Sequence, residues 1–108
     1  MSNVSENRWH DLPLAEQMAN IGSEVGRAAK WQNKDNARFD GAVKRAMELI
    51  DLTLEDPRWR NRSQELGRLK ELFCDGVFCG KEYGTKLEDL ESYFMPFMNI
   101  VARKYSLQ

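Results

Sequence analysis

The chain has 108 residues, of which 42% are hydrophobic and 31% charged, and its formal net charge is −1. This composition is typical of one folded domain, and it excludes an intrinsically disordered chain and a protein that binds polyanions through its overall charge. Residues 1–13 contain no apolar signal region, and no apolar stretch approaches the length of a membrane span. We therefore expect a cytoplasmic protein with no membrane partner, in which Cys74 and Cys79 are reduced thiols.

Apolar residues at four-three spacing predict two amphipathic helices in the first half of the chain. The first is expected to begin with Asp11 as N-cap before Pro13 and to end near Trp31. Its core stripe is expected to consist of Leu14, Met18, Ile21, Val25 and Ala28. A neighbouring stripe of small residues predicts that another helix approaches closely, and it consists of Ala15, Ala19, Gly22, Gly26 and Ala29. The second helix is expected over residues 37–56, with Asp35 or Asn36 as its cap.

The second half of the chain predicts two further helices. A link over residues 57–62 precedes a third helix, for which Asn61 or Ser63 is the expected cap. Residues 78–84 are expected to form a loop. Thr85, with Glu88 three residues later, then makes a capping box at the start of a fourth helix, which ends near Lys104.

Short links between four helices leave no room for a crossover, so neighbours in sequence should pack antiparallel. We therefore predict an all-α fold, an antiparallel up-down-up-down four-helix bundle. Residues 1–10 are expected to form a flexible N-terminal approach, and residues 11–105 a single helical-bundle domain.

The sequence lacks the residue patterns of the common helical enzymes. No Glu-x-x-His pair for a di-metal centre occurs, the only histidine is His10, and there is no P-loop or four-ligand zinc spacing. The arginine–histidine motif of the helical HEPN ribonucleases also has no match, because Arg8 and His10 stand too close together. We expect no catalytic residues, no metal site and no cofactor. A HEPN-like or other uncommon enzyme is the least favoured alternative. Its candidate residues would be Asn20, Glu24 and Arg27. We expect these residues to face solvent or to make structural hydrogen bonds.

One segment of the fourth helix is apolar almost all the way round. Such a segment exceeds what a bundle core needs, and aromatic residues and methionine are enriched at the centres of protein contacts. It predicts an interface with a protein partner or with a second copy of the chain; the alternative is a helix that is deeply buried. The candidate residues are Tyr93, Phe94, Met95, Phe97 and Met98.

A second candidate site is basic and aromatic, and the antiparallel topology would gather it at one pole with the N-terminus. Guanidinium groups beside flat rings suit phosphate contacts and base stacking, so this arginine pole predicts nucleic-acid binding. In the alternative interpretation, Asp11, Glu55 and Asp56 neutralise the arginines and the tryptophan closes the end of the core. The candidate residues are Arg58, Trp59, Arg60, Arg62, Arg103 and Lys104.

The run Leu14–Val25, LAEQMANIGSEV, resembles the opening of a family of short prokaryotic proteins for which no activity is established. The resemblance continues through residues 45–53, 55–58, 82–84 and 93–94; it implies a single domain and no catalytic residue. The architecture is also similar to the accessory bundles of diversity-generating retroelements, which bind nucleic acid as oligomers, although no motif is shared. From these patterns we expect a non-enzymatic interaction protein that forms homo-oligomers or binds a protein partner; the alternative is a nucleic-acid-binding accessory protein.

Overall fold

The computed structural model describes residues 9, 10 and 12–106, and this part of the chain is all-helical, with no β-strand. Its four main helices are α1 (Leu14–Trp31), α2 (Asn36–Glu55), α3 (Ser63–Val77) and α4 (Leu87–Ser106), and a 3-10 helix (Pro57–Arg62) joins α2 to α3. Helix α1 packs most extensively against α4 and α2, whereas α3 makes looser contacts with α2 and α4. This arrangement is compatible with a helical bundle. Over the described residues, no helix combines the length and the hydrophobicity that crossing a membrane requires.

The helix starts agree only in part with the expected caps. Asp35 caps α2 as predicted, because its side chain accepts a hydrogen bond from the backbone N–H of Arg38 at 3.1 Å. The cap expected at Asp11 lies outside the described residues. The prediction that Asn61 or Ser63 caps α3 is wrong: Arg62 occupies the cap position and makes no side-chain cap bond. The preceding 3-10 helix satisfies the N–H of Ser63, which donates to the carbonyl of Arg60.

The core follows the predicted stripe of α1 and also includes a residue that was not assigned to the domain. Met18, Ile21, Val25 and Ala28 are buried, as expected. Trp9 was placed in a flexible approach, but its side chain is fully buried and its indole Nε1 donates to Thr53 Oγ1 at 2.9 Å. Trp9 therefore belongs to the packed core. Within the same predicted approach, His10 is partly buried and its Nε2 lies 3.2 Å from the carbonyl of Leu52, whereas residues 1–8 lie outside the described residues.

Small residues let α1 and α4 approach closely, as the sequence predicts. A Cβ atom on Gly22 would lie 2.5 Å from the Cβ of Phe94, and one on Gly26 would lie 2.6 Å from Glu91 Oε2. Real Cβ atoms do not come this near to other heavy atoms. Glycine at position 22 is therefore required by the packing of α4 against α1, whereas a side chain at position 26 would have to displace the end of Glu91.

A buried carboxylate organises the loop between α3 and α4. The side chain of Asp75 accepts hydrogen bonds from the backbone N–H groups of Glu82 (2.8 Å), Tyr83 (3.1 Å) and Thr85 (2.9 Å). Burial raises the pKa of Asp75, but these hydrogen bonds outweigh burial and leave the pKa below its ordinary value. Helix α4 begins at Leu87, one residue later than the predicted capping box implies.

Candidate protein-interaction site

The apolar segment of α4 is divided between the core and the surface. Phe94 is fully buried against Gly22, so the prediction that it contacts a partner is wrong. Phe97 and Met98 are half-buried and pack against the core. Tyr93 and Met95 are 39% and 43% exposed.

The exposed residues of this segment lie on two different sides of α4. Residues 93, 97 and 100 follow i, i+4, i+7 spacing and share one side, whereas Met95 projects almost opposite to Tyr93. Ile100, which was not among the predicted residues, is 55% exposed. Tyr93 contacts the Phe97 ring at a centroid distance of 6.1 Å. We call Tyr93, Phe97 and Ile100 the α4 ridge.

Beside the α4 ridge, a groove of about 390 Å³ runs between α3 and α4. It exists because α3 packs only loosely against α4. Its lining is mostly apolar, with Leu69, Leu72, Leu90 and Tyr93 among the lining residues. The charged residues of this α3–α4 groove are Glu65, Arg68, Lys86 and Asp89.

Local electrostatics keep Tyr93 in its protonated form. Burial raises the pKa of its hydroxyl, and the nearby carboxylate of Glu65 raises it further, against the opposing charge of Arg62. Arg68 is held by Glu71 at 3.3 Å and stacks on the ring of Tyr83 at 4.7 Å. The groove thus offers an apolar surface, a phenolic donor and charges of both signs, which suit the binding of an amphipathic helix.

At the arginine pole, Arg58 is already bound by groups of the protein. Arg58 donates from Nε to both oxygens of Asp56 at 3.1 Å and from Nη2 to Asp56 Oδ2 at 2.6 Å. Its Nη2 also donates to the carbonyl of Leu12 at 2.8 Å. Asp56 is buried. Arg58 therefore ties the 3-10 helix to the segment before α1.

Trp59 closes the end of the core, as the alternative interpretation of this pole predicts. The side chain is half-buried and packs against the core, and its Nε1 donates to Gln17 Oε1 at 2.6 Å. Gln17 in turn donates to the carbonyl of Trp9 at 2.7 Å and to Asp56 Oδ2 at 3.2 Å. The edge of the Trp59 ring is thereby fixed within a buried polar network.

The outer cations of the pole are paired or exposed. Arg62 lies 3.2 Å from Glu65, and Lys104 lies 3.2 Å from Glu16, which brings the end of α4 to the start of α1. Arg60 and Arg103 have exposed side chains. Arg8 and Asp11 lie outside the described residues. Among the described residues, acidic partners thus accompany Arg58, Arg62 and Lys104.

The polar residues of α1 that were considered as candidate catalytic residues make structural contacts. Asn20 donates to the carbonyl of Glu16 at 2.9 Å. Glu24 pairs with Arg27 at 2.9 Å and with Arg45 at 3.2 Å, so it is not a buried carboxylate without a basic partner. Among the described residues, no three histidine, cysteine, aspartate or glutamate side chains converge as metal ligands would.

The exposed side of α4 and the groove beside it form the candidate interaction site. No family model, no curated protein and no solved structure matches the chain. Of the five predicted interface residues, Tyr93 and Met95 are exposed, and Ile100 and the groove were not predicted. The signal for Ile100 was its seven-residue spacing from Tyr93. The groove had no comparable signal, because it arises from the looseness of the α3–α4 contact.

Proposed function

We propose that the protein is a non-enzymatic interaction protein that forms a homodimer, in which the α4 ridge of each copy lies in the α3–α4 groove of the other. The observation that carries the proposal is the position of the ridge and groove side by side, sharing Tyr93. A helix that presents anchors at i, i+4 and i+7 fits an apolar groove, and a two-fold axis satisfies both grooves at once.

The charges around the groove favour a second copy over an unrelated partner. Helix α3 contributes Glu65 and Arg68 to the rim of the groove, and the start of α4 contributes Asp89 together with Lys86, the residue just before the helix. Such a rim is complementary to itself, because a two-fold axis can set acid against base on both sides. A strongly acidic or strongly basic partner would meet like charges along part of the rim.

Three further features belong to the proposal. The antiparallel up-down-up-down order is supported by the contact of Lys104 with Glu16, which joins the end of α4 to the start of α1, and by that of Lys70 with Asp51, which joins the middle of α3 to the C-terminal part of α2. A cytoplasmic location agrees with the free thiols of Cys74 and Cys79. Absence of catalysis agrees with the structural hydrogen bonds of Asn20 and Glu24.

Light scattering coupled to size-exclusion chromatography tests the proposal, with sedimentation over a range of concentrations to give a dissociation constant. The test variant is Tyr93→Glu combined with Ile100→Glu, which places two carboxylates on the ridge. The matched control is Met95→Glu, which changes a residue of similar exposure on the other side of the same helix. We expect dimers for the wild type and the control, and a weakening of at least about tenfold for the ridge variant.

Two results would overturn self-association through this surface. One is a wild-type protein that stays monomeric at high concentration. The other is equal weakening by the ridge variant and by Met95→Glu, which would point to a different interface. Circular dichroism of each variant shows whether the fold has survived, since Tyr93 and Ile100 are both surface residues.

Nucleic-acid binding at the arginine pole is the weaker candidate. Asp56 and Leu12 already occupy the guanidinium of Arg58, and Gln17 holds the indole of Trp59. A nucleic acid would have to compete with these existing hydrogen bonds. We therefore do not propose this pole as the functional site.

A further inference from the structure

A second cluster of cations lies where α1 ends and α2 begins, at the other end of α1 from the arginine pole. It encloses a pocket of about 280 Å³. The pocket is lined by Arg27, Trp31, Ala37, Arg38, Gly41 and Arg45. We call it the α1–α2 pocket. None of its lining residues belongs to the α3–α4 groove or the α4 ridge, so it is distinct from the proposed dimer surface.

Glu24 holds two of the guanidinium groups at this pocket. Its Oε2 accepts a hydrogen bond from Arg27 Nη1 at 2.9 Å, and its Oε1 accepts one from Arg45 Nε at 3.2 Å. The Glu24 side chain is only 12% exposed, so this anchor is well shielded from solvent. One carboxylate can balance only one of the two arginines. A positive charge is therefore retained at a fixed place.

Gly41 lets Arg45 lie across bare backbone at the pocket wall. A Cβ atom on residue 41 would be 3.3 Å from Arg45 Nη1 and 3.8 Å from Nη2. Since Nε is bound to Glu24, the Nη edge of the guanidinium is the edge that lies over Gly41. This edge carries the donors that can bind a planar or tetrahedral anion in a bidentate manner.

Trp31 gives the same pocket a flat wall. Trp9 and Trp59 pack with the core, whereas Trp31 is half-buried at the surface. The Arg38 guanidinium lies 4.5 Å from the Trp31 ring centroid and Lys30 Nζ lies 5.0 Å from it, so the ring orients both cations. Asp35 pairs with Arg38 at 3.5 Å. In these contacts four cations, Arg27, Lys30, Arg38 and Arg45, face only the two carboxylates Glu24 and Asp35.

The geometry points to a binding site for a phosphoryl group in the α1–α2 pocket. Arg27, Arg38 and Arg45 donate hydrogen bonds to the phosphate oxygens, and Trp31 contacts the group that carries the phosphate. Guanidinium forks match phosphate oxygens better than ammonium groups do, and the volume admits a phosphate with a small attached group. The phosphoryl group belongs either to a mononucleotide or to the backbone of a single-stranded nucleic acid.

Binding titrations with three probes test this site: inorganic phosphate, adenosine monophosphate, and a fluorescently labelled single-stranded oligonucleotide, all at low salt. The test variant is Arg27→Gln combined with Arg38→Gln; the two side chains are 57% and 64% exposed, so the fold should be retained. The matched control is Arg60→Gln combined with Arg62→Gln, which makes the same change in net charge at the arginine pole. We expect the pocket variant to bind at least about tenfold more weakly than the wild type, and the control to stay within about twofold.

The probes also identify the source of the phosphate. If the mononucleotide binds saturably and the pocket variant loses this binding, the ligand is a small molecule. If only the oligonucleotide binds, and its binding is lost in the pocket variant and strongly weakened by salt, the ligand is a nucleic acid. The site is overturned if the wild type binds none of the three probes. It is also overturned if the two double variants weaken binding equally, because the effect then comes from net charge.

Discussion

Asp56 shows how one buried carboxylate can connect three parts of the chain. It follows the last residue of α2 and caps the 3-10 helix, since its Oδ1 accepts the backbone N–H of Arg58 at 3.0 Å. It also binds the guanidinium of Arg58 and the amide of Gln17 on α1. The end of α2, the 3-10 helix and the start of α1 are thereby held to one another.

These contacts predict a pH-dependent loss of stability. Hydrogen bonding by the Arg58 side chain, aided by its backbone N–H and by Gln17, overcomes burial and lowers the pKa of Asp56 from 3.8 to about 2. Because the folded-state pKa is below the unfolded-state value, this stabilisation is complete above the ordinary pKa and is lost as the pH falls toward 2. Two pKa units correspond to roughly 2.5 kcal/mol, and solvent around the partly exposed Arg58 reduces this to about 1–2 kcal/mol.

We expect Asp56→Asn to lower the free energy of unfolding by about 1–2 kcal/mol at neutral pH, and the difference from wild type to shrink as the pH falls toward 2. Urea unfolding followed by circular dichroism at several pH values measures it. Glu55→Gln is the control, since this neighbouring carboxylate is exposed and should contribute little. A difference that is the same at every pH would contradict the role assigned to Asp56.

At the scale of the helices, the contact between α1 and α4 predicts opposite effects for two glycine-to-alanine changes. Gly22→Ala would place a methyl group 2.5 Å from the Cβ of Phe94, and overpacking of this kind costs about 1–3 kcal/mol, more than alanine gains in helix propensity. Gly67 on α3 has no atom within 4 Å of its would-be Cβ, so Gly67→Ala should stabilise by about 0.5–1 kcal/mol.

Thermal unfolding of the two variants measures this pair of effects against the wild type. Both substitutions are chemically identical and both lie inside a helix, so they differ only in what surrounds the new methyl group. If Gly22→Ala were as stabilising as Gly67→Ala, the close approach of α4 to α1 would be wrong.

Periodicity was sufficient to predict the helices and much of their core. Met18, Ile21 and Val25 are buried because a four-three repeat defines one helix face, whatever the partner is. The burial of Trp9 could not be predicted in this way, since it depends on Thr53, forty-four positions later in the chain. The 3-10 helix was not predicted, because a proline followed by arginines is equally typical of an irregular link.

The candidate sites were predictable only as segments of sequence. The composition of residues 93–98 indicated an interface, but which side of α4 faces outward depends on where α1 and α3 pack. The α1–α2 pocket was missed entirely, because Arg45 lies on a different helix from Arg27 and Trp31, and its position beside them depends on Glu24 and Gly41. In contrast, Asp56 and Arg58 are near neighbours, and their pairing was anticipated as the neutralising alternative.

For the whole molecule, the two proposed surfaces use different pairs of helices. The dimer surface lies on α3 and α4, and the phosphoryl pocket lies on α1 and α2. A dimer formed through the first would carry two copies of the second. A ligand with several phosphates, such as a single-stranded nucleic acid, could then be bound at both pockets, and its apparent affinity would depend on dimerisation.

Self-association also makes thermal stability depend on the concentration of the chain. Dimerisation stabilises the folded state by mass action, and a hundredfold rise in the concentration of a binding partner adds up to about 2.7 kcal/mol. For a domain of this size we expect the Tm of the wild type to rise by several degrees over such a range.

Circular dichroism in cuvettes of different path length measures the Tm at each concentration. Met95→Glu should behave like the wild type, whereas the Tm of Tyr93→Glu with Ile100→Glu should rise less over the same range, because its dimer is weaker. A wild-type Tm that is constant across the range would show that folding gains nothing from a second copy, and the α4 ridge would then need another occupant.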